Sequence, residues 1–140
     1  MILIDASAFI EFLNRTGSRE DTLIEQLIRN GGDIAVADIT LTEILQGIKT
    51  DREYRDVRAS LMTFQLLSLN GAESYIAAAE LYRKCRKKGL TIRSSVDLLI
   101  AQIAFENRMA LLHNDPDFDA LAQVCDIKIC NRSQGFPLYI

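Results

Sequence analysis

Short, wholly apolar runs alternate along this chain with longer stretches whose apolar residues recur every three or four positions. Ile2-Leu3-Ile4 opens the sequence and ends at Asp5. A run that short, with no polar alternation, fits a strand buried on both faces. Ile34-Ala35-Val36 within residues 33–37, and residues 66–69, 110–113 and 127–130, predict further strands of the same kind. Between them, helical spacing predicts helices over residues 6–14, 22–30, 39–49, 51–65, 72–88, 94–107 and 115–125. Asp38 is the expected cap of the third helix, Gly31-Gly32 stops the second, and Gly89 closes the fifth. Residues 15–21 read as a polar connection. The helix over 94–107 is apolar on nearly every side and is expected to be buried.

Strands alternating with helices predict an α/β fold, with a parallel sheet of four to five strands and helices on both faces. Ligands of such sheets bind outside the carboxyl ends of the strands. The chemistry is therefore expected where strands hand over to helices.

Composition narrows the class. The chain has 140 residues, one domain's worth, with 49% hydrophobic and 25% charged residues. The net charge of −3 argues against a protein that holds nucleic acid by bulk charge alone. It is compatible with an enzyme whose acids gather a cation. Cys85, Cys125 and Cys130 form no CxxC pair, and His113 is the only histidine, so neither a disulfide framework nor a zinc site is indicated. Reduced, buried thiols are expected. Met1-Ile2-Leu3-Ile4-Asp5 lacks the pattern of a signal peptide, and the longest apolar stretch, residues 98–105, is too short to span a membrane. The expected location is the cytoplasm.

Four acids stand at or near the predicted handovers. Asp5 ends the first strand, Asp115 and Asp117 follow the strand ending at His113, and Asp97 lies in the first turn of the buried helix. Asp5 and Asp115 also suit helix N-caps, the latter with Pro116 at the first helical position. Asp97 stands three residues after Ser94, as a capping-box partner would. Glu43 lies beside the apolar stripe Leu41, Ile44, Leu45, Ile48, where periodicity alone reads a solvated acid. Clustered carboxylates raise one another's pKa, and a hard divalent cation such as Mg²⁺ or Mn²⁺ resolves that conflict.

Four segments together carry a resemblance. Asp5-Ala6-Ser7 after the opening strand, Thr42-Glu43-Ile44-Leu45-Gln46-Gly47, Ser95-Val96-Asp97-Leu98-Leu99-Ile100-Ala101 and His113-Asn114-Asp115-Pro116-Asp117-Phe118 resemble the PIN-domain family. Within it the chain is most similar to the VapC toxins of toxin–antitoxin pairs. The likeness runs over essentially the whole chain, residues 1–140, as one PIN domain. It implies a three-layer α/β/α fold around the parallel sheet. It implies that Asp5, Glu43, Asp97 and Asp115 are the acids of a metal site, with Asp117 in the same pocket and Ser7 and Asn114 in support. Pro116 departs from the polar or basic residue of many members. The implied reaction is hydrolysis of an RNA phosphodiester by a metal-activated water, leaving a 5′-phosphate and a 3′-hydroxyl. The implied partners are an antitoxin, whose C-terminal segment wraps the toxin, and a second copy of the chain.

Other segments bear on substrate. Tyr82 to Gly89 is the most basic stretch, and Arg83, Lys84, Arg86 and Lys87 are candidate RNA contacts. The same cations also suit a helix C-terminus facing solvent. No tryptophan is present and aromatics are few, so no base-stacking platform is indicated. A dehalogenase-type phosphotransferase would want an acid where Ser7 stands. A receiver domain would want an Asp ending the third strand, and residues 66–70 offer none. The alternative left open is a PIN-like module that binds RNA or antitoxin without turnover.

Overall fold

The computed structural model describes residues 1–130. Five parallel strands form one sheet: β1 (Ile2–Ile4), β2 (Ile34–Ala37), β3 (Gln65–Leu67), β4 (Ala110–Leu112) and β5 (Lys128–Ile129). Their spatial order is β3-β2-β1-β4-β5. Leu3 lies opposite Ala35 on one side and Leu111 on the other. The helices are α1 (Ala6–Leu13), α2 (Arg19–Arg29), α3 (Asp38–Leu45), α4 (Asp51–Leu61), α5 (Ala72–Lys87), α6 (Ser95–Glu106) and α7 (Pro116–Ala122).

Alternation along each strand divides the interior into two cores. Ile2, Ile4, Ile34 and Val36 face a core built with Phe9, Ile24, Leu27, Ile44 and Leu61 of α1 to α4. Leu3, Ala35, Ala37 and Leu111 face the other, built with Leu81, Ile100, Ile103, Phe118 and Leu121 of α5 to α7. The result is the expected α/β/α arrangement. α6 is the most enclosed helix, with Ile100, Ala101 and Ile103 wholly buried.

Several element ends differ from the sequence reading. α2 starts at Arg19, three residues early, because Ser18 caps it by accepting from Asp21 N–H (3.1 Å). Asp38 is not the cap of α3. It is the first helical residue, Ala37 is the cap, and the Asp38 carboxylate instead accepts from Ile39 N–H (2.7 Å) and the Ser68 hydroxyl (2.6 Å). α3 stops at Leu45, short of Gly47, and α4 stops at Leu61, so that residues 65–67 can pair with 35–37 as β3. α7 is confined to Pro116–Ala122.

The three cysteines are free, but only Cys85 is buried outright, and Cys125 and Cys130 are half-buried. Burial pushes all three thiols up, Cys130 to about 11, so none is activated as a nucleophile. Among the described residues no helix is long and apolar enough to cross a membrane.

Candidate metal centre

The chain's path reverses between β1 and β4: β2 and β3 continue on one side, β5 on the other. That reversal leaves a crevice at the carboxyl ends of the two central strands. Asp5 leaves β1 and Asp115 follows β4 into this crevice, and the two strands are tied beyond their ends by Asp5 N–H to Leu112 O (2.9 Å).

Asp5 and Asp115 are indeed N-caps, and each has an oxygen outside its cap bond. Asp5 Oδ2 accepts from Ser7 N–H (2.9 Å) and the Ser7 hydroxyl (2.5 Å). Asp5 Oδ1 is buried and, among the described residues, has no hydrogen-bond partner. Asp115 Oδ1 accepts from Asp117 N–H (2.9 Å), capping α7 behind Pro116. Asp97 does not close a capping box: the Ser94 hydroxyl accepts from Val96 N–H (3.2 Å) instead. Oxygens of Asp97, Asp115 and Asp117 lie within 4.8 Å of one another. Asp5, Asp97 and Asp117 are each under a tenth exposed, so solvent does little to separate the charges.

The electrostatics record the crowding. Burial, then repulsion from Asp115, Asp5, Asp117 and Glu43, pushes the Asp97 carboxyl up to about 7. Burial also raises Asp5, against the lowering effect of its Ser7 hydrogen bonds. Glu43 is raised by burial and then by Asp5, so it belongs to the same field although its position on α3 reads as a solvated acid.

Ser7 and Asn114 join the two handovers. The Ser7 hydroxyl that donates to Asp5 also accepts from Asn114 N–H (2.9 Å). The Asn114 amide donates to Glu11 Oε1 on α1 (3.1 Å). Arg83, Lys84, Arg86 and Lys87 are exposed along the last turns of α5, and among the described residues none of them forms an ion pair with the acids.

Sequence reasoning undervalued two residues here. His113 is buried and does more than end a strand. Its Nδ1 accepts from Asp115 N–H (3.0 Å), its Nε2 faces Asp119 Oδ1 (3.3 Å), and its ring lies on Phe118, centroids 5.1 Å apart. An accepting Nδ1 in neutral imidazole requires the proton on Nε2, on the side of the ring that faces Asp119. Arg93, in the loop before α6, lies 3.8 Å from Asp115 and 3.6 Å from Asp117. Its only sequence signal is its place directly before the Ser94 cap.

The donor set is all carboxylate, and a buried carboxylate oxygen lacks a partner, so the residues fit a hard divalent cation. His113 supports that set through Asp115. His113→Leu is expected to weaken Mn²⁺ binding about 10- to 100-fold, whereas His113→Asn, whose amide oxygen can replace Nδ1, stays within a few-fold of the parent. Equal affinities of the two variants in a calorimetric Mn²⁺ titration would remove His113 from that role.

Comparison with known proteins places the chain in a family. The family model of the PIN domain matches residues 2–124. The VapC ribonuclease Mb1587 of Mycobacterium bovis is 33% identical over 129 residues, covering 91% of this chain and 96% of that protein. Ribonuclease VapC11 of Mycobacterium tuberculosis matches to the same extent, 33% over 129 residues. Among solved structures, VapBC2 from Rickettsia felis, bound to a promoter DNA fragment, superposes with a TM-score of 0.70 at 22% identity, covering 92% of this chain and 97% of that one. VapBC-5 from Mycobacterium tuberculosis gives 0.63 at 23% identity, covering 91% and 95%. At these identities the structures speak for the fold.

Proposed function

The chain belongs to the PIN-domain family, and from that premise we propose that it is a metal-dependent endoribonuclease, the toxin of a toxin–antitoxin pair, acting in the cytoplasm as a single PIN domain over residues 1–140. The observation that carries this reading is the meeting of Asp97, Asp115 and Asp117 oxygens within 4.8 Å, beside the unpartnered Asp5 Oδ1. The 33% identity to proteins named as VapC ribonucleases supports RNA as the substrate.

Asp5, Asp97 and Asp115 would hold one or two Mg²⁺ or Mn²⁺ ions, with Asp117 and Glu43 completing the set. Such an ion supplies a water of lowered pKa and neutralises charge developing on the phosphate. The chain's own residues do the rest. Ser7 occupies Asp5 Oδ2 and so leaves Oδ1 to the cation. His113 and the α7 cap hold Asp115 from two sides. Glu43, with its carboxyl raised by burial and by Asp5, is suited to orient the attacking water and take its proton. Arg83, Lys84, Arg86 and Lys87 offer an exposed cationic helix end to the RNA backbone.

Two grooves beside α1 suit an antitoxin segment. One, of about 600 Å³, is lined by Phe12, Leu13 and Ile28 among charged residues. The other, of about 380 Å³, is lined by Ile10, Leu13, Ile44 and Ile48, with Glu43 on its wall. A peptide lying in the second would reach the acids. For a second copy of the chain, Tyr75, Ile76 and Phe105 supply exposed apolar surface on α5 and α6.

The test is incubation of the antitoxin-free protein with a mixed RNA pool, with Mg²⁺, with Mn²⁺ and with EDTA, beside Asp5→Asn. Discrete fragments that require metal and vanish in the variant are expected. No cleavage by folded protein that still binds its antitoxin would favour a binding module instead.

A further inference from the structure

Arg93 is an arginine set against acids but not built into them. Its guanidinium stands 3.8 Å from Asp115 Oδ1 and 3.6 Å from Asp117 Oδ2, beyond the 2.7–3.2 Å of a good N–H···O bond. Its side chain is 72% exposed. An arginine kept to hold two carboxylates in place is normally bidentate, close and enclosed. This one is none of those.

Its backbone is the opposite. Arg93 N–H donates to Asp117 Oδ2 (3.1 Å), Ile92 before it is buried, and Ser94 after it caps α6. The main chain is thus pinned at the rim of the acid set while the guanidinium is free to turn. Five to seven residues earlier, Arg86, Lys87 and Lys88 end α5 in solvent, so exposed positive charge stands at both ends of the segment 88–93, at the helix end and beside the acids.

We propose that Arg93 is a phosphate-binding residue of this site, resting against Asp115 and Asp117 while they lack a cation and turning to the RNA backbone once they hold one. The proposal rests on the ribonuclease reading above. Its logic is charge. A phosphodiester cannot approach a group of carboxylates unless positive charge stands in front of them. A divalent ion among the acids competes with Arg93 for the same oxygens and repels it. The displaced guanidinium keeps its charge at any ordinary pH and presents a planar fork that fits two phosphate oxygens. Lysine would supply the charge without the fork.

Two measurements on Arg93→Gln and Arg93→Lys test this. Manganese binding is followed by calorimetry on RNA-free protein. Cleavage kinetics are followed on a single-stranded RNA that the parent protein cuts, over a range of salt. Arg93→Gln is expected to bind Mn²⁺ about 3- to 10-fold more tightly, since a competing cation is gone. It should raise KM for RNA about 10-fold with kcat within a few-fold of the parent. The slope of log KM against log salt should fall by about 0.7, one phosphate contact on a single strand. Arg93→Lys should restore the slope but only part of KM. Weaker Mn²⁺ binding with a lowered kcat and unchanged KM would mean that Arg93 merely shapes the acids, and would overturn the proposal. So would a variant indistinguishable from the parent in both measurements. If the parent protein cuts no RNA, the ribonuclease reading itself fails, and the manganese titration, which needs no RNA, still reports separately whether Arg93 competes with the cation.

Discussion

Asp97→Asn is expected to abolish RNA cleavage and, at the same time, to make the metal-free protein more stable above neutral pH. The first effect follows from loss of one of the carboxylates that would hold the cation, and should reach about 10³-fold in kcat/KM. The second follows from crowding. Asp97 is held up to about 7 by burial and by four neighbouring carboxylates, against 3.8 without that environment. Between those values the folded chain keeps a proton that the unfolded chain has released. Stability from this group is therefore full below about pH 4 and is lost as pH rises through 7. The loss is on the order of 2–4 kcal/mol. Asparagine carries no charge to suppress, so the variant's thermal midpoint should exceed the parent's by roughly 5–10 °C at pH 8 and converge with it near pH 4. Saturating Mn²⁺ should raise the parent and not the variant, since only a bound ion stabilises the native state. Thermal scans across pH, with EDTA and with Mn²⁺, measure all of this. A variant less stable than the parent at pH 8 in EDTA would show that Asp97 contributes bonds that outweigh its repulsion.

Phe118→Ala is the substitution with the largest expected cost in stability. Phe118 is wholly buried on α7, in the core with Ile100, Leu111 and Leu121, and its ring is the floor under His113. Truncating a buried phenylalanine costs about 3–5 kcal/mol in transfer and cavity terms. Against a usual domain stability of about 5–15 kcal/mol that is a large fraction. A fall in the thermal midpoint of roughly 10–20 °C is expected. Phe118→Leu, which keeps most of the volume, should cost under about 1.5 kcal/mol. Because His113 leans on this ring and Asp115 on His113, Phe118→Ala should also weaken Mn²⁺ binding at temperatures where the chain is still folded. Urea unfolding together with a manganese titration at 15 °C checks both. A cost below about 1 kcal/mol would mean that α7 settles onto the sheet and closes the gap.

Much of this fold was legible in the pattern of apolar positions, because buried parallel strands are short and apolar throughout. The misplaced ends have local causes. Ser18 starts α2 in a stretch that reads as merely polar, since a cap is one side chain and has no period. Asp38, read as a cap, instead ties α3 to the segment after β3 through Ser68, a contact between residues 30 apart. The acids were legible in part. Taken alone, Asp5 read equally well as a cap and as a site residue and Asp115 read better as a cap, and the two readings need not compete: for Asp5 one oxygen caps and, among the described residues, the other is left without a partner. Glu43 was invisible to periodicity because it lies on the flank of its helix, and only family resemblance singled it out. Arg93 was missed because an exposed loop arginine carries no pattern at all, and its meaning comes from what folds up against it.

The strand order has a consequence for the cell that makes this protein. β4 lies directly beside β1, so Asp115 and Asp117 reach Asp5 only across more than a hundred residues of intervening chain. Such pairing waits until both partners have been synthesised. A nascent chain halted between α6 and β4 already carries Asp5, Glu43 and Asp97, yet has neither the strand nor the last two acids with which to assemble a centre. A ribonuclease built this way is expected to stay inert until β4 has left the ribosome and paired with β1, so the machinery producing it does not meet an assembled centre before that point.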